Sequence, residues 1–236
     1  MTTTDPELRA RVLAIGAHPD DVEFGCGATL AKWARAASHV ELLVLTDGSK
    51  GTWEADRDLA SLVTTRRDEQ RAAAHALGAR EVHFLDAVDG ELEADALRRE
   101  QVCGVIRAVR PDVVLGHDPW KQYRLHPDHR RAGELVIEGI VAARDPHFFP
   151  SAGRPHRPER LLLFEAQEID HIEAVTEQDV EAKIQALLCH KSQWRSTMGI
   201  DTDAAQAKEQ RAAFEARVRE EITEAGGESF KLITEL

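Results

Sequence analysis

Two short clusters in this 236-residue chain carry side chains that can do chemistry. The first is His18-Pro19-Asp20-Asp21 and the second is His126-Pro127-Asp128-His129. His18 and Asp21 stand three apart on a turn entering a helix, so both can face one point. Asp20 lies between them, points elsewhere and stays a free carboxylate. His126 and His129 repeat the spacing at a second helix start. Two imidazoles and one carboxylate, with a position left for water, make a catalytic zinc set. The same donors suit the facial triad of non-haem iron, so they leave the ion open between Zn2+ and another divalent metal such as Fe2+. Each cluster alone also fits a plainer role: Asp20 or Asp21 as a helix cap, His126 as an exposed loop residue. Two clusters at equivalent junctions make coincidence the weaker account.

The junctions follow from the flanking sequence. Val12 to Ala17 is apolar on both faces and reads as a central strand before the first cluster. Asp112 to His117 reads as another strand before the second, and Pro127 suits the first position of a helix. Between them come strands at Val40–Thr46 and Glu81–Leu85 and helices at Thr65–Leu77 and Ala94–Arg110. This alternation predicts an α/β fold, a Rossmann-like, mostly parallel sheet flanked by helices. In such sheets ligands bind beyond the carboxyl ends of the strands, where both clusters fall. After Arg144 the rhythm changes to a Pro-rich stretch, two short strands, helices at Val180–Trp194 and Ala204–Glu224, and an edge strand from Ser229. A single domain over 1–236 is expected, with 145–236 as a smaller strand and helix extension completing the pocket.

Composition narrows the class. The net charge of −12 argues against nucleic acid or anionic membrane as partner. No apolar run approaches the ~20 residues of a membrane span, and Met1 to Pro6 lacks the features of a signal sequence. Cys26, Cys103 and Cys189 are odd in number and far apart, which points to a reducing, cytoplasmic setting. Cys26 reads as a small buried hydrophobe. His117 reads as structural, with a secondary chance of orienting a metal ligand. His39, His75 and His83 sit in ordinary element contexts. A nucleotide site at Gly16, Gly25 and Gly27 fails on spacing and on the carboxylates filling the turn.

Taken together the clusters resemble the PIG-L-like (LmbE-like) family of metal-dependent N-deacetylases. Supporting marks are Asp47-Gly48, Arg66-x-x-Glu69, Asp89-Gly90-Glu91-Leu92, Lys183-x-x-Ala186-Leu187 and His190-Lys191-Ser192-Gln193. The resemblance implies His18, Asp21 and His129 as metal ligands and Asp20 as general base. It implies His126 as the group that steadies the oxyanion, with Asp128 tuning His126. Arg66 matches the family arginine at the substrate's polar end; Asp89, Tyr123 and Arg124 complete the expected substrate contacts. Some members carry a tyrosine two residues before the second cluster. Here Arg124 stands there, with Tyr123 one step earlier. The loop from Trp53 to Leu62 and the segment around Phe148 and Phe149 are expected to shape the pocket. The implied activity is removal of acetate from an N-acetylglucosamine-type amino-sugar conjugate, a small-molecule partner, by a zinc enzyme that forms a homo-oligomer. The alternatives are an amidase acting on a thiol conjugate and a metal- or nucleotide-binding module without turnover.

Overall fold

A computed structural model describes residues 10–203 and 205–236, so the expectation for Met1 to Pro6 lies outside the described residues. The chain runs β1 (Arg11–Gly16), α1 (Asp21–Arg35), β2 (His39–Thr46), α2 (Leu59–Leu77), β3 (Glu81–Ala87), α3 (Ala96–Val109), β4 (Val113–His117) and α4 (Pro127–Arg144). It continues through β5 (Arg160–Phe164), β6 (His171–Glu173), α5 (Glu177–Cys189), α6 (Ala207–Ala225) and β7 (Glu228–Ile233). The strands form one seven-stranded sheet in the order β3-β2-β1-β4-β5-β7-β6. The first five strands of that order pair in parallel; β7 pairs antiparallel with both β5 and β6. No helix among the described residues is long and apolar enough to cross a membrane.

Side-chain alternation explains the layers. Leu13 and Ile15 of β1 pack against α3 and α4, while Val12 and Ala14 pack against α1, α2 and α5. With both faces covered, the central strand is apolar throughout. α6 adds Phe214, Val218 and Ile222 to a third cluster with α5. Asp58 caps α2 and Asp95 caps α3 through backbone N–H groups.

Three expected elements differ. α2 starts at Leu59, six residues before the expected Thr65, because Asp58 supplies a cap within what read as loop. α5 ends at Cys189 instead of Trp194, and a 3-10 turn (Lys191–Gln193) and a π turn (Trp194–Met198) follow. β7 is not an edge strand: it lies between β5 and β6, and β6 is the edge. The Pro-rich stretch does not reach the cleft. It is fastened to α4 and α3 by Arg107, whose guanidinium donates to the carbonyls of Ala142, Asp145, Phe148 and Phe149.

Candidate metal centre

The chain leaves β1 in one direction for β2 and β3, then returns to the other side of β1 for β4. The crevice between the ends of β1 and β4 is therefore the switch point of the sheet. His18 follows β1, His117 ends β4, and His129 sits in the first turn of α4. Gly133, one turn further along α4, permits the close approach. A Cβ there would lie 2.6 Å from the His117 carbonyl oxygen and 2.8 Å from the Pro119 nitrogen.

Donor atoms of three residues converge. His18 Nδ1 is 3.2 Å from Asp21 Oδ2 and 3.2 Å from His129 Nε2, and His129 Nε2 is 3.3 Å from Asp21 Oδ1. Bonds of about 2.0 Å to a tetrahedral ion would separate their ligand atoms by about 3.3 Å. The spacing thus fits a divalent cation; ligation through His129 Nε2 requires the ring proton on Nδ1, so Arg124, which donates to Nδ1 in this structure, would turn away on binding. His126 borders the same space, its ring 4.6 Å from that of His18.

The surroundings hold these side chains in place. The far nitrogen of His18, Nε2, lies 3.1 Å from Asp128 Oδ2 and 3.2 Å from Asp89 Oδ1. A proton held there directs the Nδ1 lone pair to the centre. Asp128 is itself pinned, accepting the Gly90 N–H at 2.6 Å and the Leu92 N–H at 3.2 Å. Its carboxylate therefore contacts His18, whereas the resemblance implied a role on His126. Burial opposes the charge on His18, but Asp21, Asp128 and Asp89 outweigh it and hold the imidazole well above its usual pKa. For Asp21, burial is overcome by His129, His117 and His18, which keep it ionised well below the usual range. His117 Nε2 lies 3.2 Å from Asp21 Oδ2, and its ring stacks on that of His129 at 4.4 Å.

Asp20 stands apart. Burial pushes its carboxyl up to about 6, against the pull of Arg66 and His190. Its backbone is left-handed, with φ 100°, a strained state for a non-glycine residue. Helix α2 holds the turn: Arg66 donates to the carbonyls of Pro19 at 2.6 Å and Gly48 at 2.8 Å, and Gln70 accepts the Asp20 N–H at 2.9 Å. Arg66 borders the cleft, but these two donors are committed to backbone. Burial and the neighbouring His18 and His129 depress the pKa of His126, which favours a neutral imidazole.

A cleft of about 460 Å3 opens over these groups and is lined also by Asp89, Arg124, Lys50, Phe24 and Thr197. Arg124 Nε donates to His129 Nδ1 at 2.9 Å, and its Nη2 lies 2.6 Å from Glu165 Oε2. Tyr123 is 85% exposed and does not line the cleft. Phe148 and Phe149 do not line it either. Sequence reasoning missed Glu165, which does; Gln193, which also does, entered only as part of a family mark. Glu165 follows the apolar run of β5, so the logic that singled out His18 after β1 would have found it. Burial acts to raise its carboxyl, but His117 and Arg124 hold it down at about 2.

Residues 13–140 match the family model described as PIG-L: GlcNAc-PI de-N-acetylase. The chain belongs to this family. Among PIG-L relatives, a diacetylchitobiose deacetylase of Thermococcus kodakarensis is 36% identical over 188 residues, covering 78% of this chain and 70% of that protein. A 1D-myo-inositol 2-acetamido-2-deoxy-alpha-D-glucopyranoside deacetylase of Streptomyces scabiei is 31% identical over 171 residues, 61% of this chain and 52% of that one. The chain thus spans about half the length of that second relative. The N,N'-diacetylchitobiose deacetylase of Pyrococcus horikoshii, solved with its inhibitor MPG, superposes with a TM-score of 0.84 at 27% identity, covering 99% of this chain and 88% of that one.

Proposed function

We propose that this PIG-L protein is a zinc-dependent N-deacetylase that hydrolyses the acetamide of an N-acetylglucosamine-type amino-sugar conjugate. The observation that carries the reading is the convergence of His18 Nδ1, His129 Nε2 and the Asp21 carboxylate beside a separate buried carboxyl, Asp20. His18, Asp21 and His129 would hold the ion. A divalent cation bound there supplies a Lewis acid that polarises a carbonyl and acidifies water.

The remaining chemistry belongs to the chain. Asp20, a carboxyl that lines the cleft apart from the three ligands, accepts the proton of the attacking water. His126 faces the acetamide from the opposite cluster and donates a hydrogen bond to the developing oxyanion. Transfer of the proton to nitrogen releases acetate and a primary amine. Asp128 and Asp89 keep His18 oriented throughout.

The test is direct. Protein purified with its metal should hold about one ion per chain and release acetate in step with new primary amine from N,N'-diacetylchitobiose. Asp20→Asn should keep the metal and lose activity by about 10²–10⁴-fold, the contribution of a general base. Loss of the metal in Asp20→Asn would make Asp20 a ligand and reverse the two aspartates. Release of an acyl group larger than acetate as the preferred reaction would favour the conjugate amidase.

A further inference from the structure

The sheet carries a second set of metal-ligating side chains at the end away from the cleft. Glu41 and Glu81 are register partners on β2 and β3, and His39 and His83 stand two residues from them on the same face. All four lie near the amino ends of their strands, whereas the catalytic cleft opens at the carboxyl ends. Thr46, where β2 ends, is roughly 16 Å beyond Glu41 along the strand. In the sequence these histidines belong to ordinary strands; only the pairing of β2 with β3 brings them together.

Glu41 is the centre of the group. Its side chain is 9% exposed and lies in register with the buried Leu13 of β1. His39 Nε2 is 2.6 Å from its Oε1, and His83 Nε2 is 2.7 Å from its Oε2. Burial opposes the charge on Glu41, but His83 and His39 overcome it and hold the carboxyl below its usual range. Among the described residues, no lysine or arginine pairs with Glu41 or Glu81; the ion-pair partners of Glu41 are the two imidazoles. Like charges opposed on adjacent strands are destabilising, and an imidazole offsets them only while it is protonated. The group therefore gains from a bound cation. One donor atom each of Glu41, Glu81 and His83 lies within 4.8 Å of the other two. Ligands of one tetrahedral ion stand about 3.3 Å apart, and the exposed Glu81 has room to close that gap. An imidazole among the donors favours a first-row transition cation over Mg2+ or Ca2+, which take oxygen throughout.

We propose that Glu41, Glu81 and His83 form a second divalent-metal site, of zinc type, that staples the edge strand β3 to β2. His39 holds the outer oxygen of Glu41 and so orients it toward the ion. The ion takes the place of the proton that His83 and Glu41 now share. The site is open and part-exposed, so it binds more weakly than the catalytic centre and fills only when metal is in excess. It stands independently of the deacetylase reading.

Zinc uptake at saturation, measured as ions per chain, tests this. Wild-type protein should take up about one ion more than His83→Ala, while acetate release stays the same in both. His39→Ala should keep the second ion but bind it about 10–100-fold more weakly, the range for an outer partner of a ligand. The double variant His18→Ala, Asp21→Ala empties the catalytic centre; zinc should still raise its melting temperature, and adding His83→Ala should abolish that rise. Saturating uptake that is the same in wild type and His83→Ala overturns the site, whether one ion is bound or two, and a second ion that persists is adventitious. If the double variant fails to fold, the comparison of wild type with His83→Ala decides alone. Absence of acetate release from the wild type would count against the deacetylase reading and leave this comparison intact.

Discussion

The histidine that follows β1 depends on a carboxylate more than a hundred residues away. Asp128 lies 3.1 Å from His18 Nε2 and is itself fixed by two backbone N–H groups. A carboxylate behind a ligating imidazole sets its tautomer and its basicity. Asp128→Asn should therefore weaken metal affinity by about 10–100-fold, read by competition with a chelator of known affinity. An unchanged metal affinity with a fall in kcat alone would return Asp128 to the His126 role that the family resemblance implies. The two clusters were legible in the sequence because the i, i+3 spacing is local geometry. The partner of Asp128 was not, since it depends on β1 and β4 lying side by side. Tyr123 and Arg124 show the same limit: adjacent in sequence, one faces solvent and the other reaches His129.

Between residue and fold stands the turn from Ala17 to Asp21. Asp20 occupies a left-handed backbone state that costs of order 1–3 kcal/mol, and α2 keeps it there. The family resemblance implies Arg66 as a substrate contact, and the expected start at Thr65 would put it in the first turn of α2. The earlier start at Leu59 puts Arg66 about two turns inside the helix, on its buried face. Its guanidinium is bonded to Pro19 and Gly48, and we propose that it holds the turn. Arg66→Ala should lower stability by about 1.5–3 kcal/mol, the range for hydrogen bonds from a charged donor. It should also lower kcat, since Asp20 loses its set position. Urea unfolding and steady-state kinetics on the metal-loaded protein check both. A higher KM with unchanged stability and kcat would instead mark uniform substrate binding.

At the scale of the whole molecule, the β1 to β4 part of the sheet was readable because each of these strands is followed by a helix of its own. The last third was harder. The segment from Ser229 reads as an edge strand, yet β7 lies between β5 and β6. Its insertion has a reason that only the tertiary structure reveals. α1 breaks at Cys26, where φ is −152°, and the break frees the backbone N–H groups of the turn that follows. Glu228 of β7 accepts the Ala28 N–H at 3.1 Å and the Thr29 N–H at 2.6 Å, a carboxylate at a helix N-terminus. The same carboxylate pairs with the buried Lys183 at 2.6 Å, which ties in α5. One side chain from the C-terminal strand thus joins the helix that carries Asp21 to the helix that leads into the cleft-lining turn. Glu228→Ala should cost about 3–5 kcal/mol, because it strands Lys183 without a counter-charge. If the ion pair were the whole effect, Lys183→Met combined with Glu228→Leu would recover most of that loss, as apolar replacements of buried pairs commonly do. Recovery here should be partial, since Ala28 and Thr29 would still lack an acceptor. Urea unfolding of the two variants separates these outcomes: full recovery would reduce Glu228 to a counter-ion, and a loss below about 1 kcal/mol in Glu228→Ala would remove it from the framework altogether.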